Sequence, residues 1–382
     1  MAERSIFEEV DGAKSAAPKP QGGVIERAGS GTRAGARAFV RAWLSVLFFL
    51  VVAIVVVGGL TRLTDSGLSI TEWEPLRGAI PPLSAADWQA EFDAYRQIPE
   101  YQLQNRGMSL SEFQFIYWWE WGHRQLGRVI GLVWAVGFFG LLVSRKMPPG
   151  WTGRLFLIGA LGGLQGAIGW WMVSSGLEGT MLDVASYRLA THLGLAFIIL
   201  GFITWFILSF RRSEADLIQF RRNRERRLFG LATALLAFAF VQILLGALVA
   251  GIDAGQAFAT WPLMGGGFFP PGAFDLEPLW RNFFENAGLV QFMHRMASYL
   301  LFAFGIFVWW QGRGSGTRAV RTAFHAMFAM MLIQVVIGIM TLVHAAPLQM
   351  AILHQFGAVI LWVLILRARF LSAYPPSQSV RA

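Results

Sequence analysis

The 382 residues contain no cysteine, which excludes disulfides, thiolate-held iron, iron–sulfur clusters and cysteine zinc sites. Charge is scarce too. Only 14% of residues are charged against 55% hydrophobic, with mean hydropathy +0.50, a balance outside the ordinary water-soluble class. Acids are the rarer sign, 23 against 32 bases, for a net +9. The first forty residues lack an apolar centre, so they do not read as a secretory signal. With Glu3, Glu8, Glu9 and Asp11 they are too acidic for a transit peptide. They are expected to form a disordered tail.

What is present is a set of long apolar runs. Windows of about twenty apolar residues fall near 42–60, 117–143, 155–174, 189–210, 228–250, 289–310, 323–343 and 350–368, the length that crosses a bilayer. The expected fold is an all-α integral membrane protein with eight spans and both termini on one side. The bases collect before span one (Arg27, Arg33, Arg37, Arg41) and after span two (Arg145, Lys146, Arg154). They recur after span four (Arg211, Arg212, then Arg221 to Arg227), after span six (Arg313, Arg318, Arg321) and after span eight (Arg367, Arg369). The alternate loops hold Asp65, Glu72, Glu74, Asp87, Glu91, Asp93 and Glu100. This positive-inside pattern places both termini in the cytoplasm. It gives the basic loops anionic lipid, not nucleic acid, as sufficient partner.

His123, His192, His294 and His354 stand near the starts of spans two, four, six and eight. Imidazole is costly in lipid and a favoured iron ligand. Nineteen residues separate His192 from Arg211 and His294 from Arg313, about 28 Å of helix. These histidines are therefore expected near the outer, periplasm-like face. His325 and His344 flank span seven and read as structural.

The halves repeat in order. Gly58-Gly59-Leu60, Asp65-Ser66-Gly67 and Trp73-Glu74-Pro75 after span one match Gly246-Ala247-Leu248, Asp253-Ala254-Gly255 and Trp261-Pro262 after span five. His123-Arg124 matches His294-Arg295, Gln165 and Gly169 match Gln334 and Gly338, and His192 matches His354. Two parallel four-helix bundles follow, each with a histidine pair on its second and fourth helices, where bundle cofactors are built. Gly162, Gly163, Gly166 and Gly169 leave room for close helix approach or a flat ligand.

Two neutral histidines on opposed helices can ligate a haem iron from both faces. Arg124, Arg128 and Arg295 suit propionate carboxylates, or serve as interfacial anchors. Glu120 lies three residues before His123 on one helical face, where the second half has Gln291. Either the carboxylate takes part in chemistry, leaving a resident cofactor to the second half, or it simply pairs with Arg124.

The run Glu112-Phe113-Gln114-Phe115-Ile116-Tyr117-Trp118-Trp119-Glu120-Trp121-Gly122-His123-Arg124 with Gly127-Arg128 resembles the signature of haem A synthases. The segment Gly58 to Ser69, Trp73, Pro75, His294-Arg295 and His354-Gln355 is also similar to that family's motifs, over about residues 40 to 370. The resemblance implies an inner-membrane oxidoreductase that oxidises a methyl group of haem O to the formyl group of haem A for cytochrome oxidase, with oxygen from water. It implies haem B on His294 and His354, substrate haem on His123 and His192, and Glu120 near the reaction. With no cysteine pair in its first outer loop, the chain resembles the cysteine-free branch. The implied partners are haem O, a haem O synthase, cytochrome oxidase assembly factors and further copies of the chain. The rival is a di-haem electron-transfer cytochrome, disfavoured because all four ligands lie near one face.

The expected organisation is a disordered cytoplasmic tail (1–40), an N-terminal half with the substrate site (41–212) and a basic cytoplasmic linker (213–227). A C-terminal half with the haem B site (228–370) and a cytoplasmic tail (371–382) complete it.

Overall fold

The computed structural model describes residues 23–179 and 181–377, and their regular structure is helical apart from one isolated bridge between Met264 and Gly267. The helices are α1 (Gly23–Leu63), α2 (Ala85–Tyr95), α3 (Pro99–Leu103), α4 (Leu110–Val143), α5 (Thr152–Val173) and α6 (Ser186–Phe210). There follow α7 (Glu214–Arg222), α8 (Arg226–Gly251), α9 (Asn282–Glu285), α10 (Ala287–Gly312), α11 (Arg318–Val343) and α12 (Leu348–Ala373). Eight of them are long and apolar enough to cross a membrane: α1 from Gly35, α4, α5, α6, α8, α10, α11 and α12. They coincide in order with the eight apolar windows, and the chain is a multi-pass membrane protein.

The ends differ from the sequence reading where polar chemistry extends a helix. Span two begins at Leu110, not 117, because Ser109 caps it: the Ser109 hydroxyl accepts from the Glu112 amide, and the Glu112 carboxylate accepts from the Ser109 amide. The expected disordered tail divides. Residues 1–22 lie outside the described residues, whereas 23–40 continue α1 as helix, a correction to the expected boundary. The basic linker contains α7, whose Ser213–Asp216 box supplies the same reciprocal cap. Of the C-terminal tail, 378–382 lie outside the described residues.

Within the first half α1 packs on α4, α4 on α5, α5 on α6 and α6 back on α1; within the second, α8, α10, α11 and α12 are joined in the same cyclic order. Between halves α6 meets α8 and α12, and α1 meets α12. The helix α6 is the hub: 67% of its apolar window is buried, against 28% or less in every other span. Its Phe197, Leu200, Ile203 and Phe206 join Leu44, Leu47, Val359 and Trp362 in one core across both halves.

At the histidine-bearing end, a second core sits under the loop between α1 and α4. Phe92 stacks on Phe113 at 4.9 Å, with Tyr95, Ile98, Tyr117, Leu68 and Val184 around them. This packing keeps the long loop in a defined position over span two.

Candidate functional site

Each of the four histidines is half-buried and faces a glycine on a neighbouring span. A methyl group built on Gly58 of α1 would come to 3.0 Å from His123 Nε2, and one on Gly169 of α5 to 2.9 Å from His192 Cε1. In the second half a methyl on Gly246 of α8 would come to 3.1 Å from His294 Cε1, and one on Gly338 of α11 to 3.1 Å from His354 Cε1. These are the glycines the internal repeat aligns, so each ring occupies space that only a missing side chain leaves. His123 lies within electrostatic reach of His192, and His294 of His354.

Two glutamines contact the rings. The Gln165 amide nitrogen on α5 lies 3.2 Å from His192 Nδ1 and donates to the His192 carbonyl at 2.9 Å. The Gln242 amide nitrogen on α8 lies 3.0 Å from His294 Nδ1 and donates to the His294 carbonyl at 3.0 Å. The sequence reading used Gln165 only as a marker of the repeat and missed Gln242, whose counterpart in span one is Ile54. A glutamine inside an apolar run was itself a signal. Gln334, the counterpart of Gln165, lies instead against Gly357 of α12.

Glu120 is buried and its carboxylate fully engaged. One oxygen accepts from Arg124 Nε at 3.0 Å and Nη2 at 2.6 Å; the other accepts from the Ser69 hydroxyl and the Ile70 amide, each at 2.8 Å. Gln291 does the converse, donating to the Ala254 carbonyl at 2.9 Å while its oxygen accepts from Arg295 at 3.1 Å. The first loop presents donors at this point and the second presents carbonyls. That difference accounts for glutamate in one half and glutamine in the other.

The three arginines give their hydrogens to the same loops. Arg124 donates to the Ile70 carbonyl at 2.8 Å and that of Glu72 at 3.1 Å; Arg128 reaches the carbonyls of Glu74 and Pro75, each at 3.0 Å. Arg295 reaches those of Phe258 at 2.7 Å and Thr260 at 2.9 Å. Tyr299, at the position of Arg128, accepts from the Trp261 indole at 2.9 Å. Positions four residues apart on one helical face thus stitch the loop to the span in both halves. Trp73 meets Trp170 at 5.3 Å, next to Gly169 under His192. His325 accepts from the Trp309 indole at 2.9 Å and His344 stays against its own turn, neither near the four histidines' contacts.

The loops also hold an ionic cluster. Arg62 at the end of α1 pairs with Asp65 at 3.1 Å, Asp183 at 3.4 Å and Asp253 at 2.8 Å. Asp65 and Asp253 are repeat partners, and both take left-handed backbone, φ 48° and 51°, where aspartate is tolerated. Burial pushes the Asp65 and Asp183 carboxyls up, against Arg62, which pulls them down. The buried Glu100 is pushed up to about 8 by burial and by nearby Asp183 and Asp65.

A flat porphyrin fits this donor set. Each half supplies two imidazoles whose rings are seated on glycines of neighbouring spans, and without thiolates or an acidic metal cluster among the described residues the ligands would be histidines.

Residues 41–366 match the family model described as cytochrome oxidase assembly protein, COX15-CtaA. The chain belongs to that family. It is 65% identical over 378 residues to the heme A synthase of Dinoroseobacter shibae, covering 99% of this chain and 98% of that one. It is 64% identical over 384 residues to the heme A synthase of Ruegeria pomeroyi, covering 100% and 99%. To that of a Ruegeria species it is 62% identical, with both chains covered completely.

Proposed function

We propose that this protein is a haem A synthase, a membrane oxidoreductase converting a methyl group of haem O to the formyl group of haem A, with oxygen from water. The observation that carries the reading is the set of four histidines, each ring seated on a repeat-related glycine, in a chain 62–65% identical along its length to proteins of that name.

His294 and His354 would hold haem B, which supplies a one-electron couple when bound. His123 and His192 would hold the substrate haem. Gly58 and Gly169 leave the space that the His123 and His192 rings occupy. The stitched loop between α1 and α4, with Trp73 on Trp170, would limit water at the first pair. Glu120 places a fixed negative charge one helical turn from His123, where it favours the positive charge that builds as the methyl carbon is oxidised. Its strong pairing with Arg124 makes it a charge held in place, and the arginines act by holding the loop. Both termini are cytoplasmic and the histidines lie toward the periplasmic side of the bacterial inner membrane, following the basic loops. Haem O synthase and oxidase assembly factors are natural partners, and self-association is compatible with this role.

The test is pigment extraction from cells expressing this chain with a haem O synthase. Haem A together with haem O and haem B is expected. Haem B alone would make the protein a di-haem electron-transfer cytochrome.

A further inference from the structure

A neutral imidazole offers iron one lone pair. For Nε2 to be the ligating atom, Nδ1 must carry the proton and find an acceptor, and such outer partners set the strength of the metal bond. Only one histidine of each pair has such a partner. Gln165 lies at His192 Nδ1, and Gln242 lies nearer His294 Nδ1, at 3.0 Å, than its Nε2, at 3.3 Å. Among the described residues His123 has no side-chain hydrogen bond, and His354 Nδ1 is buried without one. The backed histidines do not follow the repeat: His192 is on the fourth span of its half and His294 on the second.

The glutamines can do this work. Gln165 Oε1 and Gln242 Oε1 are both buried without a hydrogen-bond partner, beside the rings. An amide's two ends are nearly equal in shape, so rotation brings Oε1 to the ring nitrogen. The oxygen then accepts from Nδ1–H and leaves Nε2 as the lone-pair atom. The rotation forgoes the bond to the histidine carbonyl, which still accepts within its helix. For the first pair the framework agrees: His192 is on α6, the most buried span, and His123 on α4, of which 17% of the apolar window is buried.

We propose that Gln165 and Gln242 are positioning residues that make the two ligands of each haem unequal: His192 and His294 are the anchored ligands, His123 and His354 the exchangeable ones. In the first site this lets one ligand stay bound while the other gives way as substrate haem enters and product leaves. The inference rests on the haem-binding reading above.

The test uses the full-length protein purified with its tightly held haem, titrated with iron protoporphyrin IX. The unaltered chain is expected to take up a further equivalent with a low-spin, six-coordinate spectrum. His123→Ala retains that equivalent as a high-spin, five-coordinate haem, whereas His192→Ala does not bind it. Gln165→Leu weakens its binding tenfold or more. Gln165→Glu, a stronger acceptor from Nδ1–H, keeps the low-spin spectrum and lowers the midpoint potential of that haem. Retention of the first, tightly held haem reports that each variant is folded. Equal losses in the two histidine variants, or a Gln165→Leu protein with unaltered affinity and potential, would overturn the proposal. If the unaltered chain takes up no further equivalent, the functional reading itself fails and this inference with it.

Discussion

Glu100 shows how a single residue departs from its sequence appearance. In the chain it is one of several acids in a polar loop; in the fold it is buried on α3, with Oε2 unpartnered and Oε1 accepting from Asn105 at 3.3 Å. Burial and the neighbouring aspartates raise its carboxyl from 4.5 to about 8. Folding therefore binds a proton that the unfolded chain releases. The contribution to stability is complete below about 4.5 and is lost as pH rises toward 8. Glu100→Gln should flatten that decline, raising stability at pH 8 relative to the unaltered protein by on the order of 1–3 kcal/mol while changing little at pH 4.5. Thermal unfolding at the two pH values checks it, and a parallel decline in the variant contradicts the assignment. Glu120, with a similar appearance in sequence and likewise buried, has both carboxylate oxygens met, by Arg124 on one side and by Ser69 and Ile70 on the other.

At the scale of elements, the contact that matters is between a span and the loop before it. Glu120, Arg124 and Arg128 fasten residues 69–75 to α4, and Gln291, Arg295 and Tyr299 fasten residues 254–261 to α10. Glu120→Gln would place an amide NH2 among donors from Arg124 or from Ser69 and Ile70, so one contact is lost whichever way the amide turns. The loop should then open more readily. Hydrogen exchange of the Ile70 amide should quicken about fivefold or more, equivalent to about 1 kcal/mol. Haem content should stay near normal while haem A formation falls. Unchanged exchange together with unchanged product would remove Glu120 from both roles. The motif from Glu112 to Arg128 was legible as a unit in the sequence, but its partners were not. They lie 50 or more residues away in a loop without regular structure, and no periodicity predicts which carbonyl an arginine will find.

Across the whole molecule, the halves are joined by few polar contacts and one broad apolar face. Gln355, next to His354, donates to the Val55 carbonyl at 2.6 Å and crowds Gly59, the neighbour of the glycine under His123. Arg62 gathers aspartates from three loops, Asp65 and Asp183 of the first half and Asp253 of the second. Arg62→Met would leave three carboxylates facing one another with no cation. Because the aspartates are 39–50% exposed, the cost is expected to be only about 1–2 kcal/mol. It should be seen as a lower unfolding temperature that recovers partly at high salt. A variant with unaltered unfolding temperature at low salt would show that α6 against α8 and α12 suffices to hold the halves.

The sequence by itself determined the eight spans, their order and the repeat, because hydropathy and spacing are written along the chain and lipid leaves the backbone little choice but helix. Of the glycines it singled out for room, Gly169 alone faces a ring, and that Gly58, Gly246 and Gly338 do the same was decided by the tertiary structure. Only the tertiary structure decided that α6 is the central helix, that the arginines and Glu120 are committed to the loops, and that Gln165 and Gln242 each back one ring of a pair. Those outcomes depend on how helices turn about their axes and which loop atoms they meet. Such contacts join residues distant in sequence, and the hydropathy pattern carries no record of them.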